Sequence, residues 1–330
     1  MIALAAPRSH WSLYALEASP PVAGKFAPIL DRMEVYKLVR RSVGGKEFKG
    51  VARLATELKG SGYILPSRET LRRWVLRQTS PFSGKRVFEA RPSEELSFFL
   101  GAWIGDGWSD DSDGGKRMLL KVRSHDFARE FADCATKILS KTKPYKVRAV
   151  LDEGKTWYIV KVTSFMLYEF VNQSMEQLLT YLEAFPHAFL RGLFTAEGGP
   201  SVSVQHSRRL YLDVGLFASN SDYQLLALSA SMLSKLGLLP GRIKLDTEKG
   251  EKTNYGVARK STWQLLLSKF RDVEEFALAI GFADSRKQQK LADAISFIKE
   301  QGRTGGAIKW MSFYEKRRGD WVRKSGFTVS

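Results

Sequence analysis

The chain of 330 residues has a single cysteine, Cys134, and only four histidines. One cysteine can close no intramolecular disulfide, so a core must hold the fold, and a reducing compartment suits it: the cytosol, or the organelle or nucleoid that holds its gene. The histidines, His125 and His206 among them, follow no metal-ligand spacing, and there is no CxxC pair and no glycine-rich phosphate loop. Zinc-ribbon, dithiol and phosphate-loop chemistry are thereby set aside. No apolar run approaches the roughly 20 residues of a membrane span, and Met1 to Ala6 is too short for a secretory segment, so no membrane partner is expected. Acidic residues are scarce as well. Against 35 Asp and Glu stand 52 Lys and Arg, a formal net charge of +17 and a pI near 9.8. With 44% hydrophobic residues to build a core, this excess of positive charge points to a polyanionic partner.

What is present is a nine-residue pattern that occurs twice, as Phe99-Leu100-Gly101-Ala102-Trp103-Ile104-Gly105-Asp106-Gly107 and as Leu190-Arg191-Gly192-Leu193-Phe194-Thr195-Ala196-Glu197-Gly198. Each copy reads as an apolar helix ending in a carboxylate and then a glycine. Gly101 and Gly105 are four apart, as are Gly192 and Ala196, which gives each helix a stripe of small residues where two backbones can approach. Packed on those stripes, the helices bring Asp106 and Glu197 to adjoining C-terminal ends, with Gly107 and Gly198 expected in the left-handed conformation that stops a helix. The helix dipole disfavours a carboxylate there by about 0.3–1 kcal/mol. Two such placements call for a reason, and a divalent cation held between them supplies one.

The chain divides into six stretches: a lead-in over 1–30 with four prolines, a helical domain over 31–82, a linker over 83–92, two units over 93–181 and 182–299, and a basic, aromatic tail over 300–330. In the helical domain, Val51, Leu54, Ala55 and Leu58 mark one buried face, and Leu71, Trp74 and Val75 a second, capped by Ser67. Arg68, Arg72, Arg73 and Arg77 line the exposed side of that second helix. The pair resembles a helix-turn-helix, although the connection from Lys59 to Leu65 is longer than the usual 3–4 residues.

Both later units have the same predicted order. The first has strands near 117–123, 145–151 and 157–163 and helices over 126–140 and 165–179. The second has strands near 201–205, 210–217, 242–246 and 255–259, a helix over 222–236, and closing helices over 263–270 and 286–298. Met118, Leu120 and Val122 alternate with Arg117, Lys121 and Arg123, and Leu210, Leu212, Val214 and Leu216 with Arg209, Tyr211 and Asp213. The implied architecture is α+β: two tandem, pseudo-symmetric αββαββα repeats, helices on one face of each antiparallel sheet and the other face free to form a saddle for DNA. Arg117, Lys121, Arg123, Arg209, Tyr211, Arg242 and Lys244 fall on that free face. The tail either extends the DNA contact or packs back on the core.

The paired nonapeptides, in this order of elements, resemble the twin motifs of the single-chain LAGLIDADG homing endonucleases over roughly residues 95–298. The resemblance implies an endonuclease that hydrolyses one phosphodiester in each strand of a long asymmetric site, with Mg²⁺ or Mn²⁺ held by Asp106 and Glu197. The carbonyls of Gly105 and Ala196 are then further candidate ligands. Relatives place a basic or amide side chain beside the scissile phosphates, from a repeat's second strand and from the start of its last helix. By position Arg123 fits the first role, Arg286 or Lys287 the second, and Lys161 is a further candidate. Gly199-Pro200 follows the second motif where relatives often carry lysine, so the two strands are expected to be cut at unequal rates. With two repeats in one chain a monomer suffices. Without a cysteine start or a His-Asn end, the chain is expected to be intron-encoded or free-standing rather than an intein. Two other readings use the same basic surface without cutting: an RNA splicing cofactor that binds intron RNA, and a DNA-binding regulator. Asn or Gly at either acid would favour them.

Overall fold

The computed structural model describes residues 29–44, 50–61, 63, 65–76, 88–110, 116–206, 209–253, 256–317 and 319–324. Residues 1–28 of the lead-in, the first half of the expected linker, Arg77 and the last residues of the tail lie outside them. Among the described residues no helix is long and apolar enough to cross a membrane.

Among the described residues the N-terminal unit has three helices, α1 (Ile29–Gly44), α2 (Val51–Gly60) and α3 (Arg68–Val75). Val35, Val39, Leu54, Leu58, Leu71 and Trp74 form its own small core. The α3 start is fixed as expected, the Ser67 hydroxyl accepting from the Thr70 amide. At the other end the Arg40 guanidinium donates to the carbonyl of Val75 at 3.3 Å and so satisfies a helix-end acceptor.

The first repeat runs α4 (Glu94–Asp106), β1 (Gly107–Asp110), β2 (Arg117–Val122), α5 (His125–Ile138), β3 (Val147–Asp152), β4 (Lys155–Thr163), α6 (Phe165–Val171) and α7 (Met175–Ala184). The second runs α8 (Pro186–Glu197), β5 (Gly198–His206), β6 (Leu210–Asn220), α9 (Tyr223–Lys235), β7 (Lys244–Thr247), a short hairpin of β8 (Lys252–Thr253) and β9 (Gly256–Val257), β10 (Thr262–Leu267) and α10 (Phe270–Ala279). After it come α11 (Ser285–Phe313) and a hairpin of β11 (Tyr314–Arg317) and β12 (Asp320–Arg323). The sheets are antiparallel, with equivalent orders β1-β2-β4-β3 and β5-β6-β10-β7. One apolar core runs through both repeats. Met118, Leu120, Val160, Val162, Leu212, Val214 and Leu216 point into it, and the residues that alternate with them on β2 and β6 are half-buried.

Four expectations are corrected. The helix expected over 165–179 is two, because Ser174 starts α7 with a reciprocal cap to Gln177. The stretch expected as a helix over 263–270 begins as β10: Leu265 and Leu267 are buried and alternate with Gln264 and Leu266, a period of two that three consecutive leucines hide. The strand expected over 255–259 is not a member of the sheet, for β9 pairs only with β8. The helix expected over 286–298 continues to Phe313, with a break at Gly302, where φ is 66° and ψ is 175°.

Candidate metal centre and nucleic-acid interface

The centre of the molecule is the contact of α4 with α8. A Cβ on Gly101 would lie 2.2 Å from the Phe189 carbonyl oxygen, and one on Gly192 2.4 Å from that of Phe98. Backbone touches backbone, so only glycine fits at either position. Further along, a Cβ on Gly105 would sit 2.4 Å from the Ala196 Cβ and 3.5 Å from Glu197 Oε1. The small-residue stripes therefore pack against each other as the spacing implied, and Asp106 and Glu197 end their helices side by side.

Neither helix is stopped by a left-handed glycine. Gly107 has φ −84° and Gly198 φ −136°, both extended, and each helix passes straight into its strand. Glycine is required there for room instead. A Cβ on Gly107 would meet the Trp103 ring at 2.3 Å, and one on Gly198 the Phe217 carbonyl at 2.2 Å.

Crowding at these helix ends raises both acids. Burial, with the Asp106 charge adding to it, pushes the Glu197 carboxyl up to about 8, although a hydrogen bond from Asn220 and the Lys287 ammonium pull it down. Burial likewise raises Asp106 to about 6, against the pull of Lys287. Asp106 is crowded by protein and yet open to water, since it lies on the exposed side of the seam. Solvent there screens its charge. Two like-charged oxygen donors side by side, with no salt-bridge partner among the described residues, suit a small hard cation. The last-turn carbonyls of Gly105 and Ala196 have no donor within their helices and lie beside the acids. No group of three or more His, Cys, Asp or Glu that could hold a metal occurs among the described residues, so carbonyls, water or a phosphate must complete any coordination shell.

Of the expected basic groups, Lys287 reaches this centre. It lies in the first turn of α11, set by Asp284, whose side chain caps the helix by accepting from the Arg286 and Lys287 amides. Its ammonium donates to the carbonyls of Thr195 and Gly198, both at 2.6 Å, and burial holds its pKa below the usual lysine value. Those two carbonyls flank Ala196 and Glu197, so Lys287 clamps the end of α8. Arg286 turns away to pair with Asp284 at 3.0 Å, and also donates to the Arg123 carbonyl at 3.4 Å. The Arg123 guanidinium stands 5.3 Å over the Trp157 ring. Lys161 is exposed on β4, opposite Leu119.

The expected DNA contacts divide into paired and open charges. Arg117 pairs with Asp110 at 3.3 Å and Lys121 with Asp152 at 2.7 Å. Arg209, Arg242 and Lys244 are exposed, and Tyr211 is half-buried on β6. Arg242 precedes β7, which starts at Lys244. In the N-terminal unit Arg72 and Arg73 both reach Glu69, and Arg68 is exposed.

Asn220 is the site residue that the sequence did not disclose. Register supplies the missing signal: Gly107 pairs with Leu120 and Gly198 with Ala218. Asn220 is thus the counterpart of buried Val122, and among the described residues it gives the second acid an amide donor that the first does not have.

Comparison with known proteins follows this geometry. The family described as LAGLIDADG-like domain matches residues 184–281, which begin just before α8 and carry Glu197. The second repeat thus carries a LAGLIDADG-like domain. The chain is also similar to an uncharacterized protein of Methanocaldococcus jannaschii, MJ0398, at 26% identity over 271 residues, 79% of this chain and 94% of that one. Among solved structures, I-DmoI in complex with DNA and Mn gives a TM-score of 0.40 at 22% identity, covering 58% of this chain and 98% of the other. The N-terminal LAGLIDADG domain of DUF199/WhiA gives 0.37 at 20%, covering 59% and 86%. At such scores the likeness carries nothing about function. In this chain the acids of both nonapeptides, Asp106 and Glu197, are present.

Proposed function

We propose that the chain is a site-specific, divalent-metal-dependent endonuclease that cuts both strands of a long, asymmetric DNA site. The observation that carries the proposal is the meeting of Asp106 and Glu197 at the touching ends of α4 and α8, each raised by its surroundings and, among the described residues, in a salt bridge with no basic side chain. Such an arrangement works against the metal-free fold and is relieved by a bound cation. Asp106 and Glu197 would hold Mg²⁺ or Mn²⁺, with the Gly105 and Ala196 carbonyls as further donors.

When bound, such a cation lowers the pKa of an attacking water and neutralises charge that develops on the phosphate. The protein's own part is positional. Lys287 fixes the peptide that carries Glu197, Asn220 orients the Glu197 carboxylate, and the open face of each sheet lays the duplex across the acids with exposed Arg and Lys against its phosphates. Arg123 and Lys161 are assigned to phosphate contact, and Arg68 with its neighbours on α3 to a second, helix-turn-helix-like contact.

A second reading, binding without cutting, is favoured by one feature. Gly199 and Pro200 bring no charge to the Glu197 side, and Lys287 is spent on backbone carbonyls. The test is selection from a random DNA library with purified protein and Mg²⁺, sequencing both the bound molecules and the break ends. A recurrent long site cut on both strands supports the endonuclease. A site enriched but intact moves the protein to the second reading.

A further inference from the structure

The helical side of the molecule carries a cleft that the DNA reading leaves unused. It encloses about 1010 Å³ where the two repeats meet, between α5 of the first and the adjoining ends of α8 and α10 of the second, with the start of α4 at its edge. Glu94 opens α4 and Asp106 closes it, so about 18 Å of helix, at 1.5 Å per residue, separates the cleft from the paired acids. An occupant here leaves the sheet faces free.

The floor of the cleft is apolar. Phe98 and Ile280 are buried beneath it, and Phe185 is half-buried in its wall.

The rim is acidic, in a chain of formal net charge +17. Glu95 is held by Lys137 at 3.2 Å and Glu130 by Arg191 at 2.9 Å. Glu94 and Asp133 are exposed and, among the described residues, in no salt bridge, while Asp126 has His125 at 3.7 Å. Arg129 shares the wall.

The repeat does not call for these acids. Aligned on their caps, Ser124 and Asp222, helices α5 and α9 put Gln224, Leu228 and Ser231 where Asp126, Glu130 and Asp133 stand. Aligned on Asp106 and Glu197, α4 and α8 put Phe185 in the place of Glu94. The helix dipole favours Glu94 and Asp126, each in a first turn. Asp133 lies in the second half of α5 and gains nothing from it.

The chain's own tail, as far as Lys324, goes elsewhere. Trp310 stacks on Tyr314 at 3.8 Å with 4° between the planes, the Tyr314 hydroxyl donates to buried Asp293 at 2.6 Å, and Lys290 pairs with Asp320 at 2.6 Å. Of the two roles expected for the tail, the structure shows the second, packing back.

We infer that this cleft docks a lysine- or arginine-bearing segment of a partner protein, which sets an apolar side chain between Phe98, Phe185 and Ile280 and its cations against Glu94, Asp126 and Asp133. Charge selects the occupant: the same rim repels the phosphates of a nucleic acid, and a bare cation leaves the apolar floor uncovered. The inference stands apart from the DNA reading, since it uses the opposite end of α4.

The experiment is fluorescence anisotropy with the full chain and three labelled short peptides. The first has Lys and Arg flanking a Leu-Phe pair, the second has Gln in place of those cations, and the third has Ser in place of Leu and Phe. Two variants accompany the wild type, each checked for an unchanged melting temperature: Asp133→Lys with Glu94→Gln alters the rim, and Ala279→Trp, at an exposed lining position, plugs the cleft without changing its charge. The wild type should bind the first peptide about tenfold or more tighter than either control, and each variant should weaken that binding about tenfold, the rim variant's loss shrinking in high salt. No binding of the first peptide, a control that binds as well, or affinities unchanged in both variants would overturn the inference. Sedimentation velocity examines the other occupant: a wild type that self-associates while the rim variant stays monomeric would put a second copy in the cleft and overturn it too.

Discussion

Glu197→Gln separates the proposed metal role from a purely structural one. The folded protein holds this carboxyl at about 8 against an ordinary value near 4.5. Between those values the folded state binds more protons than the unfolded, so stability falls as pH rises through the window and is unaffected below it. A shift of one unit corresponds to about 1.4 kcal/mol, which would make the full penalty about 4–5 kcal/mol. Asp106 shares the repulsion, and water reaches the seam, so the expected residue is about 1–2 kcal/mol. Removing the charge should therefore raise the melting temperature of the chelator-treated protein by about 1–3 °C at pH 8.5, and by nothing at pH 4.5. Metal at about a hundred times its dissociation constant should stabilise the wild type by about 2.7 kcal/mol and the variant hardly at all. A variant less stable than wild type at pH 8.5 without metal, or equally stabilised by metal, would refute the reasoning.

Three further outcomes are expected. Gly192→Ala drives a Cβ into the Phe98 carbonyl at 2.4 Å and the Ala102 amide at 2.8 Å, and should lower stability by about 3 kcal/mol or more in denaturant titrations. Lys287→Met strips the donor from the Thr195 and Gly198 carbonyls; equilibrium unfolding should report a loss of about 1–3 kcal/mol, and metal affinity should drop because the Glu197 peptide is no longer clamped. Tyr314→Phe leaves buried Asp293 without its hydroxyl donor and should cost about 1–3 kcal/mol by the same measurement.

The helix pair was readable because its signal is local and repeated. Gly101, Gly105, Gly192 and Ala196 announce the close contact, and the two acids follow at the same offset in each copy. Strand β2 was readable because Met118, Leu120 and Val122 alternate with less buried neighbours, whereas β1, four residues directly after α4, left no such signal. Where the pattern broke, the cause was also local: Leu265, Leu266 and Leu267 form an apolar run without a period, and only their place beside Leu216–Asn220 makes them a strand. Asn220 and the Lys287 clamp were out of reach for a different reason. Their meaning depends on which carbonyls and carboxylates lie beside them, about 90 residues away in the chain for Lys287 and across a strand end for Asn220. The backbone of Gly107 and Gly198 teaches a similar lesson, since glycine serves there for space against Trp103 and Phe217 and not for handedness.

Strand-resolved cleavage of a selected DNA site tests the central claim most directly. Wild type, Asp106→Asn and Glu197→Gln would be given the same end-labelled duplex with Mg²⁺, alongside a binding isotherm in Ca²⁺. The account predicts that the wild type cuts both strands, that each variant falls to background, and that all three bind the site with affinities within a few-fold of one another. Cutting by either variant at the wild-type rate, or a wild type that binds its selected site and leaves both strands whole, would contradict it.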